Sequence, residues 1–399
     1  MPISNRQLFL KHVAIPAYLD KPIEIERAEG IYLYGTDGKV YIDLVSGVSV
    51  SNLGHGHPSI VRAVQHQAEN HMHLMVYGEF VQSPQVNFAK LLCDHLPNNL
   101  QSVFYVNSGS EAIEGAIKLA KRVTGKTEIA AFKNAYHGST HGALSVLGNE
   151  RMKYAYRPLL PGISFLEYGN FEHLELINNK TAGVVIEPVQ AEAGIIIPSH
   201  EYIKAVRQKC DETGAMLILD EIQMGFGRTG KLFAFEHFNV IPDILCIAKA
   251  MGGGMPIGAF VSSRENMDTL KHNPALGHIT TFGGHPVSAA AAHASLCVIL
   301  EEKLIQYADH KGKLFANNLS AHPEITEIRQ IGLMLGVELK NTEKANTLMN
   351  LFLDEGMIVD QFLFNQLSFR IAPPLNITVD EINTICGKII TCLDRLLDK

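Results

Sequence analysis

The chain has 399 residues, of which 46% are hydrophobic and 19% charged, and its formal net charge at pH 7 is −7. This composition is typical of a globular protein with a large core, and the length allows two domains. The negative charge gives no reason to expect nucleic acid or an anionic membrane as a partner. No apolar run approaches the length of a membrane span.

The cysteines and the first residues bear on the cellular compartment. The six cysteines are scattered along the chain without a CxxC pair, which favours reduced thiols. The N-terminal residues lack the charged segment and apolar segment of a signal peptide. We therefore expect a cytoplasmic protein.

The N-terminal region predicts a β-hairpin followed by a histidine-containing loop. Residues 31–34 and 40–44 are short runs of strand-forming residues on either side of an Asp-Gly turn. The histidines of residues 54–58 and 71–73 have no second ligand pair at a recognised spacing. We interpret them as loop and helix-surface residues and predict no metal site.

From about residue 51 to 290, apolar strands alternate with helical segments, which predicts a mostly parallel α/β sheet. The first of these strands, residues 102–106, runs into Asn-Ser-Gly-Ser at 107–110 and then into a helical pattern. A Ser-Gly-Ser turn at a helix start offers free backbone N–H groups, the helix dipole and two hydroxyls to an anion. Taken alone, the same residues could be an ordinary helix cap.

Two further strands are followed by polar residues. Residues 129–132 lead to Tyr136-His137-Gly-Ser139, which could by itself be a packing turn. Residues 182–186 lead to Glu187, and Glu192 follows five positions later. Because the carboxyl ends of parallel strands meet at one edge of a sheet, we expect these groups to lie where open α/β sheets bind ligands.

The strongest chemical signal is the pair Asp220 and Lys249. Four apolar residues precede Asp220, and such a carboxylate is costly to bury unless a cation meets it. Lys249 stands between a buried strand and a glycine-rich turn, where desolvation would lower its pKa and leave the neutral amine that a Schiff-base lysine needs. A lone lysine at a strand end is more often a surface residue. Together the two residues suggest pyridoxal phosphate, with the lysine on its aldehyde and the aspartate on its ring nitrogen.

The segment Gly225-Phe-Gly-Arg-Thr-Gly230 raises a nicotinamide-dependent dehydrogenase as a rival, because it matches the GxGxxG pattern after a strand. The dinucleotide fingerprint needs a helix that opens at the third glycine and a full crossover to the next strand. The residues between 231 and Pro242 are too few for that crossover. The dehydrogenase remains a remote alternative.

The segments LILDEIQMGFGRTG (217–230) and IAKAMGGGMPIG (247–258) resemble the class III aminotransferases, which are pyridoxal-phosphate enzymes of fold type I. The resemblance extends over essentially the whole chain. It implies an α/β large domain at 51–290, with a mostly parallel sheet flanked by helices. It also implies a smaller α+β domain formed by both termini, residues 1–50 and 291–399.

The resemblance also implies roles for individual residues. The expected cofactor contacts are a phosphate cradle of Ser108, Gly109 and Ser110, a ring-stacking Tyr136 beside His137, Glu187 near the cofactor, Gln223 on the phenolic oxygen, and Thr281 on a phosphate across a dimer interface. Arg370 matches the arginine that binds a substrate carboxylate. Glu192 matches the glutamate that pairs with this arginine until a carboxylate arrives. Ser139 stands where many members have an arginine, which removes one further carboxylate-binding candidate.

The function predicted from these residues is a ping-pong aminotransferase, in which Asp220 and Lys249 are catalytic. It would move an amino group from an acetylornithine- or ornithine-like ω-amino acid or amine to a keto acid, with 2-oxoglutarate as the expected acceptor, and pass through pyridoxamine phosphate. We expect a homodimer with shared active sites. An aminomutase of the same fold and a non-catalytic pyridoxal-phosphate-binding protein remain alternatives, and turnover without a keto acid would identify the mutase.

Overall fold

In the computed structural model, which describes residues 4–17 and 22–397, the strands form three sheets. The strands in chain order are β1 (Ile25–Glu29), β2 (Tyr32–Gly35), β3 (Val40–Asp43), β4 (Ser102–Val106), β5 (Glu128–Phe132), β6 (Ile163–Leu166), β7 (Thr181–Ile186), β8 (Met216–Asp220), β9 (Ile244–Ile247), β10 (Gly258–Ser262), β11 (Ile325–Ile331), β12 (Met334–Leu339), β13 (Met357–Ile358) and β14 (Ser368–Ile371).

The largest sheet has the order β4-β10-β9-β8-β7-β5-β6 within the described residues. Neighbouring strands from β9 to β6 pair in parallel, whereas β10 pairs antiparallel with both β9 and β4. Strands β7 to β10 are buried throughout, which explains their unbroken apolar sequences. The predicted mostly parallel α/β sheet is confirmed.

Helices cover both faces of this sheet and support the smaller ones. They are α1 (Asn5–His12), α2 (Ser46–Ser49), α3 (Pro58–Asn70), α4 (Ser83–Cys93), α5 (Gly109–Thr124), α6 (His141–Val146), α7 (His200–Thr213), α8 (Phe235–Phe238), α9 (Arg264–Asp268), α10 (Pro286–Glu301), α11 (Ile305–Leu319), α12 (Thr342–Asp354) and α13 (Val379–Asp394). Helix α5 buries an Ala- and Ile-rich face against β9 and β10. Every helix in the described ranges is too short or too polar to cross a lipid bilayer.

The two smaller sheets are built from the chain ends. The predicted N-terminal hairpin is present as β2 and β3, and β13 pairs with β3 in parallel. Strands β11, β12 and β14 form an antiparallel sheet that carries Arg370 on β14. The predicted C-terminal helix is α13, which begins with a capping box between Thr378 and Glu381.

A buried arginine links the small sheets to the large one. Arg228 is fully buried in the glycine-rich loop after β8, and the helix that a dinucleotide-binding fingerprint would require does not open there. Its guanidinium donates hydrogen bonds to the carbonyls of Leu333 and Pro373 and to the side chain of Asn52. The backbone N–H of Leu333 returns a bond of 2.9 Å to the Arg228 carbonyl. The loop after β8 is therefore fixed to the end of β14.

Candidate active site

A cavity of about 420 Å³ lies at the carboxyl ends of β7, β8 and β9. Its volume falls in the range of roughly 300–1,000 Å³ that is common for small-molecule sites. It is lined by the predicted site residues Ser108, Gly109, Ser110, Tyr136, His137, Glu187, Asp220, Gln223 and Lys249. The edge of the sheet thus brings together residues that are up to 141 positions apart (249 minus 108).

Lys249 lies in the cavity with a strained backbone. Its φ of 49° is in the left-handed region, which residues with a side chain rarely adopt outside functional or tightly constrained sites. The Nζ atom donates a hydrogen bond of 3.1 Å to Oε1 of Gln223. Burial lowers the pKa of Lys249, while the charge of Glu192 acts in the opposite direction. The position therefore favours the uncharged amine.

Asp220 lines the cavity and is only 5% exposed. Its Oδ2 atom is 2.7 Å from Nδ1 of His137, and its Oδ1 accepts a bond of 3.0 Å from the backbone of Ile222. Nε2 of His137 is buried and has no partner among the described residues. The sequence predicted His137 only as a neighbour of the cofactor. The structure makes it the residue that holds the Asp220 carboxylate.

The predicted phosphate cradle lies at the start of α5. Ser108 caps the helix by accepting a bond of 3.2 Å from the Glu111 amide, and Oγ of Ser110 accepts one of 3.1 Å from the Ser139 amide. A Cβ atom on Gly138 would lie 1.9 Å from that Ser110 hydroxyl. Position 138 therefore requires glycine. Separately, the N–H groups of the first turn of α5 that have no partner within the helix are available to an anion.

Glu187 shapes the wall of the cavity beside Tyr136. Its carboxylate accepts bonds from the backbone amides of Tyr136 at 3.3 Å and Ala191 at 3.1 Å. Burial raises the pKa of Glu187 well above its usual range, and the charge of Asp220 adds to this. Tyr136 is half-buried, and its hydroxyl lies 3.2 Å from that of Ser139, which is exposed.

Arg370 and Glu192 form a buried ion pair next to the cavity and not within its lining. Nη2 of Arg370 donates to Oε1 of Glu192 at 2.7 Å, and the other oxygen of Glu192 accepts from the Leu363 amide at 3.1 Å. The Phe362 ring lies 4.8 Å from the guanidinium carbon, within cation–π range. The structure brings Arg370 and Glu192 together in the pairing that the sequence resemblance predicts.

The predicted cofactor contact Thr281 does not line the cavity of its own chain. It is exposed, and it is the neighbouring Thr280 that accepts a bond of 2.7 Å from the Asn107 side chain. Its predicted contact with a phosphate requires a second copy of the chain and stays a prediction.

The donor set fits pyridoxal phosphate. The lining of the cavity contains an anion-binding helix start, a buried carboxylate and a lysine with a lowered pKa. Nε2 of Gln223 is buried without a hydrogen-bond partner among the described residues, so the cavity also offers an unused polar atom. A ring with a phosphate, a phenolic oxygen and a protonated nitrogen matches these groups.

Comparison with known proteins identifies the family. The class III aminotransferase model matches residues 15–393. The acetylornithine aminotransferase of Methanopyrus kandleri is 42% identical over 328 residues, which cover 81% of this chain and 82% of that protein. Among solved structures, the ornithine aminotransferase of Toxoplasma gondii, described with partial occupancy of pyridoxal phosphate, has a TM-score of 0.89 at 28% identity and covers 98% of this chain and 94% of its own.

An (S)-enantioselective omega-transaminase from Thermomicrobium roseum has a TM-score of 0.91 at 27% identity, with all of both chains covered. The match of the family model over nearly the whole sequence and the identity to a curated aminotransferase agree with the geometry of the cavity. The chain therefore belongs to the class III aminotransferases and is a transaminase of fold type I.

Proposed function

We propose that the protein transfers an amino group from an ω-amino acid or amine, of the acetylornithine or ornithine type, to a keto acid such as 2-oxoglutarate. The cofactor of this transaminase is pyridoxal 5′-phosphate. The observation that carries the proposal is the placement of Lys249, Asp220 and the helix start at Ser108 around one cavity. Bound there, the cofactor supplies an electron sink for the negative charge that develops on the substrate carbon.

The residues of the cavity divide the remaining work. Lys249 would hold the cofactor, and once a substrate amine has displaced it, its uncharged amine can take a proton from the amino-bearing carbon and return it. Asp220 would pair with the ring nitrogen and keep it protonated, and His137 fixes the orientation of that carboxylate. Gln223 lies beside the Lys249 amine and would orient it together with the phenolic oxygen.

The pair of Arg370 and Glu192 would let one site accept two kinds of substrate, one with a carboxylate beside the reacting carbon and one without. With Glu192 on Arg370, the buried cation is neutralised and a donor without a carboxylate beside its amino group meets no free charge. A keto acid would displace Glu192 and bind the guanidinium through a charge-assisted, forked pair of hydrogen bonds. The relatives that act on acetylornithine and ornithine by name support a donor of this class.

We also infer that the active form is a homodimer in the cytoplasm. Thr281 is exposed next to Phe282, which is itself 54% exposed, and Val81 is 92% exposed. Apolar side chains with such exposure favour a protein contact at this surface. Light scattering of the purified protein tests the dimer, and a monomer with full activity contradicts it.

The experiment that tests the function uses Lys249→Ala and a panel of amines. The parent should bind pyridoxal phosphate with visible absorbance, lose that absorbance with a productive amine, and recover it with 2-oxoglutarate. The Lys249→Ala variant should show neither the absorbance nor turnover. Turnover of an amine in the complete absence of a keto acid would instead favour the aminomutase.

A further inference from the structure

We propose that Asp360 sets the affinity of Arg370 for substrate carboxylates, because it takes up a proton when a carboxylate binds. The inference rests on the proposed role of Arg370 as the carboxylate site. It adds a residue that the sequence did not single out, and it predicts that keto-acid binding and proton uptake are coupled.

Asp360 contacts Arg370 through both the backbone and the side chain. It follows β13, and its carbonyl accepts a bond of 2.9 Å from the Arg370 amide. Its Oδ1 atom lies 3.3 Å from Nε of Arg370, forms no hydrogen bond with the described residues and is buried. Asp360 and Arg370 are therefore close in space without a hydrogen bond between their side chains. Burying two charges in this way has a desolvation cost that the pair does not fully recover.

The guanidinium has a different environment on each of its nitrogens. Nε lies against Asp360, Nη2 is bonded to Glu192, and Nη1 is buried without a partner in the described residues. Nη1 is therefore an unused donor for a substrate carboxylate, which would then replace Glu192 on Nη2. Asp360 stays in contact with the same cation throughout this exchange.

The charges that face Asp360 come from three other elements. Arg370 lies on β14, Glu192 follows β7, and Asp43 ends β3. Asp43 is held as an anion by Nε2 of His55 at 2.8 Å and by two backbone amides, and its pKa is lowered although its burial acts in the opposite direction. Asp360 thus shares one cation with Glu192 and faces a second carboxylate at Asp43.

This environment leaves Asp360 easy to protonate. Burial raises the pKa of Asp360 to about 6, with Glu192 and Asp43 adding to the increase and Arg370 opposing it. Glu192 accepts bonds from both Arg370 and the Leu363 amide, whereas Oδ1 of Asp360 accepts none from the described residues. When one more carboxylate joins these groups, protonation of Asp360 removes one of the crowded negative charges.

The sign of the pH dependence follows from linkage. Glu192 would keep its bond to the Leu363 amide when it leaves Arg370, so the substrate carboxylate is an added anion in this cluster. An added anion raises the pKa of Asp360 further, so the complex binds more protons than the free protein. Carboxylate affinity is then constant below a pH of about 6, where Asp360 is already protonated, and falls as the pH rises above it. The fall reaches about tenfold for each unit by which the pKa of Asp360 rises on binding.

The test is calorimetric titration of the holoenzyme with glutarate, a dicarboxylate that cannot accept an amino group. Measurements at pH 6, 7 and 8, each in two buffers of different ionisation enthalpy, count the protons taken up. The parent should take up protons above pH 6 and bind glutarate more weakly as the pH rises. In Asp360→Asn, which keeps the shape without the charge, proton uptake should disappear and the affinity at pH 8 should be about tenfold higher or more.

The matched control is Asp309→Asn, an aspartate paired with Lys313 at 2.7 Å on the surface, which should behave as the parent. Proton uptake that persists in Asp360→Asn overturns the inference, and so does weaker binding, which would make Asp360 only a support for Arg370. The parent titration needs no variant, so a variant that fails to fold leaves the proton count decisive. Glutarate that does not bind the parent also overturns the inference, whereas the response of the cofactor absorbance to amines tests the transaminase function separately.

Discussion

Replacing Gly258 with alanine should displace the backbone of Ser108 in the predicted phosphate cradle and so lower both stability and cofactor affinity. Gly258 begins β10 and pairs with Val106, two residues before Ser108. A Cβ atom at position 258 would lie 2.4 Å from the Ser108 carbonyl oxygen and 2.8 Å from its carbon, so the oxygen must move by at least 0.6 Å to reach even 3.0 Å. Both contacts are backbone atoms of Ser108, the N-cap residue of α5, and no flexible side chain can yield.

Two costs follow from that displacement. Overpacking of this kind lowers the free energy of unfolding by about 1–3 kcal/mol. Loss of one hydrogen bond to a charged phosphate costs about 1.5–3 kcal/mol, which corresponds to a roughly 10- to 150-fold weaker affinity for pyridoxal phosphate. Thermal unfolding of the apoprotein measures the first cost, and titration of the apoprotein with the cofactor, followed by visible absorbance, measures the second.

Gly387→Ala is the matched control, because a Cβ there meets nothing within 4 Å and the residue lies inside α13. It should raise the unfolding free energy by roughly 0.5–1 kcal/mol and leave cofactor affinity unchanged. If Gly258→Ala is destabilised but binds the cofactor like the parent, Ser108 is not part of the phosphate site. If neither quantity changes, the packing between β10 and Ser108 is not as tight as described.

Three further predictions concern the catalytic and substrate residues. Asp220→Asn should slow the loss of cofactor absorbance on mixing with an amine by about 10²-fold or more in single-turnover measurements, because it removes the buried carboxylate that would pair with the ring nitrogen; an unaffected rate contradicts this role. Arg370→Lys should weaken keto-acid binding by about 2–5 kcal/mol, seen as a higher KM, and leave the half-reaction of a donor without a carboxylate unchanged; equal losses for both substrates would indicate misfolding. The rate at which the apoprotein recaptures pyridoxal phosphate should rise with pH and level off below the ordinary lysine pKa of 10.5, because burial lowers the pKa of Lys249 and the neutral amine reacts; a rate that still rises above 10.5 refutes this.

The sequence predicted best the residues whose neighbours along the chain define their environment. Asp220 ends the buried strand β8, and Lys249 follows the buried strand β9 by two residues. A run of four or more apolar residues is enough to recognise such strands. Strand β10 was not predicted, although it is also apolar. It returns beside β9 after only ten residues, too few for a crossover helix, so it pairs antiparallel and breaks the expected alternation of strand and helix.

Contacts between distant residues could not be predicted from the sequence without the fold. His137 and Asp220 are 83 positions apart, and only the order of strands β5, β7 and β8 brings them to 2.7 Å. The contact between Asp360 and Arg370 was also not predictable, because no sequence motif around Asp360 indicates it. It depends on how β13 and β14 are placed in the fold. The pairing of Arg370 with Glu192 was predicted because the resemblance supplied it, and not because of any local pattern.

The buried Arg228 has a consequence for the kind of acceptor that the protein selects. It bonds to Pro373, three residues beyond Arg370, and lies in the loop that begins just after Gln223, the partner of the Lys249 amine. Moving the carboxylate site away from the lysine would leave this guanidinium unbonded in the core. The distance between the Arg370 guanidinium and the Lys249 amine is therefore fixed. The protein should select keto acids by the number of carbons between the keto group and the carboxylate that binds Arg370.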